Sequence, residues 1–132
     1  MSKEAQRSGG RRLLMLDDSE LALEIQVMMF ERKGFEVKGC LDLDEVREAA
    51  ASFAPDIIVT DAGLGEATVY EAVSTLRELF DRVPVVLFSG RQDDELAALA
   101  AELAVEGWAS KGARQQEVLA KVVAVLEGRI ER

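Results

Sequence analysis

The chain has 132 residues, enough for one domain with a core that needs neither disulfides nor a structural metal. Hydrophobic residues make up 48% and charged residues 31%, with only two prolines, which is not a disordered composition. Sixteen Lys and Arg against 25 Asp and Glu leave a net charge of -9, which argues against nonspecific nucleic-acid binding. There is no histidine, so Ser-His and Cys-His catalysis and a Cys/His zinc site are excluded, and the single cysteine, Cys40, excludes an internal disulfide. No apolar stretch approaches membrane-spanning length, and the polar start carries no signal-peptide pattern. A cytoplasmic protein without membrane contact is therefore the expectation.

Residues 1–10 read as a flexible tail hinged at Ser8-Gly9-Gly10, and 129–132 as a short C-terminal tail. Between them strands and helices alternate. Leu13 to Leu16 is a continuous apolar run, as expected of a strand buried on both faces. Helix one is predicted from about Ser19 to Arg32, with Leu21, Ile25, Met28 and Met29 at helical spacing, and Gly34 ends it. Strand two is the short Phe35 to Lys38. Asp42 and Glu45 make a capping box for helix two, which reaches about Ser52.

Pro55 forces an extended approach to strand three, Ile57-Ile58-Val59, which ends at Asp61. Gly63 and Gly65 mark a loop. Thr68 and Glu71 make a second capping box, opening helix three to about Phe80. Strand four, Val85 to Phe88, ends at Ser89-Gly90. Helix four spans roughly Asp93 to Ala104 and is alanine-rich. Strand five is Gly107-Trp108-Ala109. Helix five runs from about Gln115 to Glu127, with Val118, Val122, Val125 and Leu126 on its inner face. Five such strand–helix units imply an α/β fold, a doubly wound five-stranded parallel sheet with helices on both faces.

Open sheets of this kind build their sites where strands end, beside the point at which strand order reverses. Asp17-Asp18, Asp61, Ser89 and Lys111 all fall at such ends. Adjacent carboxylates repel unless a cation offsets them, and few carboxylates plus waters suit Mg²⁺. The plainer reading of Asp17-Asp18 is a helix N-cap, which Asp18 or Ser19 could supply. Asp61 is either a loop-capping acid or a phosphoryl-accepting nucleophile. Ser89 alone reads as a turn residue and Lys111 alone as a solvated lysine. Together they add a hydroxyl and a cation suited to phosphoryl oxygens.

The pieces LLMLDDSE, PDIIVTD, VPVVLFSG and WASKG, in this order and at these separations, resemble the receiver domain of two-component response regulators over about Arg11 to Leu126. The resemblance implies a flavodoxin-like sheet of order 2-1-3-4-5 in a receiver domain over 11–128. It implies Asp61 as phosphoacceptor, and Asp17, Asp18, Asp61 and the Gly63 backbone carbonyl around Mg²⁺. It places Ser89 at the hydroxyl switch, Lys111 at the phosphoryl-contacting lysine and Trp108 at the switch aromatic. The implied function is a single-domain response regulator of a bacterial two-component phosphorelay, a signalling domain rather than an enzyme. The implied partners are a histidine kinase or phosphotransfer protein and a downstream protein target, or self-association, through helix four, strand five and helix five.

The chain departs from the family's pattern in places. Gly112 and Gly65 stand where prolines are usual, which loosens both loops, and Trp108 is larger than the usual aromatic. Gly63 and Arg91 offer no acid or amide to orient a water, so self-hydrolysis of a phosphoryl group is expected to be slow. A pseudo-receiver that binds partners without phosphorylation is the alternative. An aspartate-nucleophile phosphatase would show an Asp-x-Asp motif, and an FMN binder a Ser/Thr/Gly-rich loop after strand one; the adjacent Asp17-Asp18 fits neither.

Overall fold

The computed structural model describes residues 11–62, 68–112 and 115–128. In chain order the elements are β1 (Arg12–Leu16), α1 (Glu20–Arg32), β2 (Glu36–Cys40), α2 (Leu43–Ala49) and β3 (Ile57–Asp61), then α3 (Val69–Leu79), β4 (Val85–Ser89), α4 (Asp93–Leu103), β5 (Gly107–Ser110) and α5 (Gln115–Leu126). The strands form one parallel sheet of order β2-β1-β3-β4-β5. This is the expected flavodoxin-like order. β2 starts and ends later than the sequence suggests, at Glu36–Cys40, because its register follows β1 from Arg12↔Glu36 to Leu16↔Cys40. α2 closes at Ala49, short of the expected Ser52, and the chain leaves it through a turn in which Ser52 N–H and Phe53 N–H both donate to Ala49 O.

The apolar runs of β1, β3 and β4 are buried on both faces because successive side chains alternate across the sheet. Leu13, Met15, Ile57, Val59, Val86 and Phe88 pack on one side with Met29 and Phe30 of α1 and Val118, Val122 and Val125 of α5. On the other side Leu14, Leu16, Ile58 and Val85 meet α2 and α3, while Leu87 meets α3 and α4. Leu126 is partly buried against the α1–α5 layer. Cys40 lies in the α2–α3 layer, where burial first, and the neighbouring Glu45 carboxylate second, push its thiol up to about 11, so it stays protonated and unreactive at neutral pH.

α1 sits differently from the sequence expectation. Its buried residues are Gln26, Met29 and Phe30, whereas Leu21, Ile25 and Met28 are 68%, 51% and 52% exposed. Two apolar stripes run along this helix, and the one chosen for burial includes a glutamine. The close approach of α1 to β2 depends on Gly39, where a Cβ would come within 3.1 Å of Val27 Cγ2 and 3.3 Å of Leu23. Among the described residues no helix is long and apolar enough to cross a membrane.

Candidate functional site

Strand order reverses between β1 and its two neighbours, so the chain leaves β1 and β3 on opposite routes and opens a crevice above their carboxyl ends. Leu16 is paired with Thr60, and the next residues, Asp17 and Asp61, therefore emerge side by side. Asp61 is in turn paired with Phe88, and Ser89 follows at the end of β4. β5 continues the row: Lys111 N–H donates to Ser89 O at 2.7 Å. Four stretches distant in sequence thus converge.

Asp17, Asp18 and Asp61 each offer a carboxylate oxygen, all within 4.8 Å of one another. Asp17 is buried, Asp61 half-buried and Asp18 exposed. The Lys111 ammonium lies 2.9 Å from Asp17 Oδ2 and 3.6 Å from Asp61 Oδ2. Burial acts to lower the Lys111 pKa, but hydrogen bonds and charge from Asp17 and Asp61 outweigh it, and the ammonium is held above its ordinary value. Three carboxylates against one ammonium leave the crevice negative. Hard oxygen donors clustered at this spacing, with one side open, fit a divalent cation such as Mg²⁺.

The N-cap of α1 is Ser19, whose Oγ accepts from Ala22 N–H at 3.3 Å. Helix capping therefore does not account for the Asp17-Asp18 pair. Asp17 instead accepts from Ser19 N–H at 2.9 Å through Oδ1, and its Oδ2 also takes a bond from Gln26 Nε2 at 3.3 Å. Gln26 is the site residue that sequence reasoning missed. A glutamine on an amphipathic helix reads as solvent-facing, and only the rotation of α1 about its axis turns it inward.

Ser89 is buried, and its Oγ accepts from Arg91 N–H at 3.2 Å, so it serves the turn after β4 and stands at the site's edge. Trp108 is set apart from the carboxylates: it is partly buried against the α3–α4 layer with Leu99 and Leu103, and Lys121 Nζ sits 5.4 Å from its ring centroid. Gly112 N–H donates to Ser110 Oγ at 3.1 Å, and among the described residues a Cβ there would meet that oxygen alone, at 3.6 Å. Gly63, the expected backbone ligand, and Gly65 lie outside the described residues.

Residues 13–123 match the response regulator receiver domain family. The transcriptional regulatory protein PrrA of Mycobacterium tuberculosis is 31% identical over 120 residues, which is 89% of this chain and 51% of that protein. The alkaline phosphatase synthesis transcriptional regulatory protein PhoP of Bacillus subtilis is 27% identical over 116 residues, 88% of this chain and 48% of that one. The chain thus spans about half the length of these curated relatives. Among solved structures, the chemotaxis response regulator CheY4 of Vibrio cholerae superimposes with a TM-score of 0.77 at 20% identity, covering 88% of this chain and 98% of that one. A matched stretch that runs from β1 into α5, on a sheet of this order with its acids at the strand ends, makes this chain a member of the response regulator receiver domain family.

Proposed function

We propose that this chain is a phosphoacceptor switch that takes a phosphoryl group on Asp61 from a histidine kinase or phosphotransfer protein. One observation supports it above the rest: Asp17, Asp18 and Asp61 cluster within 4.8 Å with the Lys111 ammonium between Asp17 and Asp61. In this reading an Asp61 carboxylate oxygen attacks the phosphorus of a phosphohistidine. The P–N bond breaks, the electron pair leaves with the imidazole, and an acyl phosphate forms on Asp61.

Asp17, Asp18 and Asp61 would hold Mg²⁺, with the Gly63 carbonyl added by the family resemblance, and the ion would supply positive charge for the phosphoryl oxygens. Lys111 contributes the second cation by turning from Asp17 toward the new phosphoryl oxygens, and Ser89 Oγ donates to another. Such transfers depend on positioning and charge rather than on covalent help from the protein. Water later cleaves the acyl phosphate slowly, since Gly63 and Arg91 bring no acid or amide to orient it. The domain runs over 11–128, works in the cytoplasm, and signals through α4, β5 and α5 to a protein target or to a second copy, with Trp108 reporting the state of Ser89.

Incubation with Mg²⁺ and acetyl phosphate, followed by intact mass, tests the reading. The expected result is a gain of one phosphoryl group, absent in Asp61→Asn and in chelator. A folded protein that gains no mass would instead favour a pseudo-receiver that binds its partners without phosphorylation.

A further inference from the structure

Gln26 is 8% exposed, and it is the one polar residue among the buried residues of α1. Its surroundings are largely apolar: Ala22, Ile25, Met29, Phe88 and Val118 line with it an open pocket of about 240 Å³ between α1 and α5, to which Gln115 and Lys111 add the polar edge. In that setting its Oε1 has no hydrogen-bond partner among the described residues. A leucine or methionine of similar volume would join the apolar lining and leave no polar atom stranded. Core packing therefore does not explain a glutamine here. What the amide does do is donate from Nε2 to Asp17 Oδ2 at 3.3 Å, the same oxygen that receives Lys111 at 2.9 Å.

We infer that Gln26 is a positioning residue that fixes the Asp17 carboxylate for cation binding, a role that rests on the reading of the site given above. Asp17 is tied to α1 at two heights, through Ser19 N–H on Oδ1 and through Gln26 on Oδ2. The Lys111 bond is of a different kind. That side chain is 29% exposed and is shared with Asp61, and in the reading given above it turns to the phosphoryl group. Gln26 comes from the second turn of a helix packed on the sheet and stays. It keeps Asp17 in one orientation before, during and after Lys111 leaves. Partners that orient a ligating carboxylate typically change metal affinity by about 10–100-fold when removed.

The test compares Mg²⁺ affinity, by calorimetry at a temperature where every protein is folded, in the wild type, Gln26→Leu, Gln26→Met and Met29→Leu. Thermal melting of the metal-free proteins runs alongside. Both Gln26 variants are expected to bind Mg²⁺ about 10-fold more weakly while melting close to the wild type, because removing the stranded Oε1 offsets the loss of the Nε2 bond to Asp17. Met29→Leu alters the same buried face without touching Asp17 and is expected to bind as the wild type does. If the Gln26 variants bind within twofold of the wild type, or if Met29→Leu weakens binding as much, the inference is overturned and the reading of the site stands. A wild type without affinity for Mg²⁺ overturns both.

Discussion

Asp17 is 1% exposed, and a carboxylate so deeply buried is tolerable only if its charge is met. Ser19 N–H, Gln26 Nε2 and the Lys111 ammonium meet it from three directions. Removing the ammonium in Lys111→Met leaves two neutral donors against a buried charge. Loss of one partner from a fully buried pair costs about 3–5 kcal/mol, and the partial exposure of Lys111 reduces the expected destabilisation to about 1–2 kcal/mol. Urea unfolding checks the value, and added Mg²⁺ is expected to recover most of it, since a cation at the carboxylates replaces the lost charge. At this scale the sequence is readable where residue type and strand end coincide. Asp17, Asp18, Asp61 and Lys111 are each polar residues where an apolar run stops, and topology alone brings such ends together. Gln26 has no such marker. Its contact with Asp17 depends on how α1 is rotated, a property of packing that its immediate neighbours in sequence do not encode.

The strands were legible as elements because β1, β3 and β4 each carry a short unbroken apolar run flanked by turn residues, the pattern expected of a parallel strand covered on both faces. α1 was legible as a helix but not in its orientation. Leu21, Ile25 and Met28 form the cleaner apolar stripe, while the buried stripe of Met29 and Phe30 is interrupted by Gln26. The end of α4 makes a sharper case. Ala104 caps it with φ 57°, in the left-handed region that glycine adopts without strain. The conformation is imposed from outside: Arg77 of α3 donates to Leu103 O at 2.9 Å and to Ala104 O at 2.7 Å, and Tyr70 O–H donates to Glu102 at 2.8 Å. Ala104→Gly is expected to relieve that strain and stabilise the protein by about 0.5–1 kcal/mol, the added freedom of the unfolded chain taking back part of the gain. A denaturant midpoint that falls in this variant would show that the Ala104 methyl group packs usefully despite its backbone.

For the molecule as a whole, charge separates a local effect from a global one. The net charge is -9, and the self-repulsion of exposed charges is screened by any salt at distances beyond about 8–10 Å. Asp17, Asp18 and Asp61 lie within 4.8 Å of one another, and their mutual repulsion is screened far less. Sodium chloride and magnesium chloride at equal ionic strength therefore relieve the first repulsion alike, while only a bound divalent cation relieves the second. A ligand that binds the folded state alone at 100 times its Kd adds about 2.7 kcal/mol, which for a domain of this size raises Tm by roughly 5–15 °C. The Tm in saturating MgCl₂ is expected to exceed that in matched NaCl by that order, to return on chelation, and to respond much less in Asp61→Asn, which removes one of the three carboxylates. Equal Tm values in the two salts would mean that the carboxylate cluster takes no divalent cation.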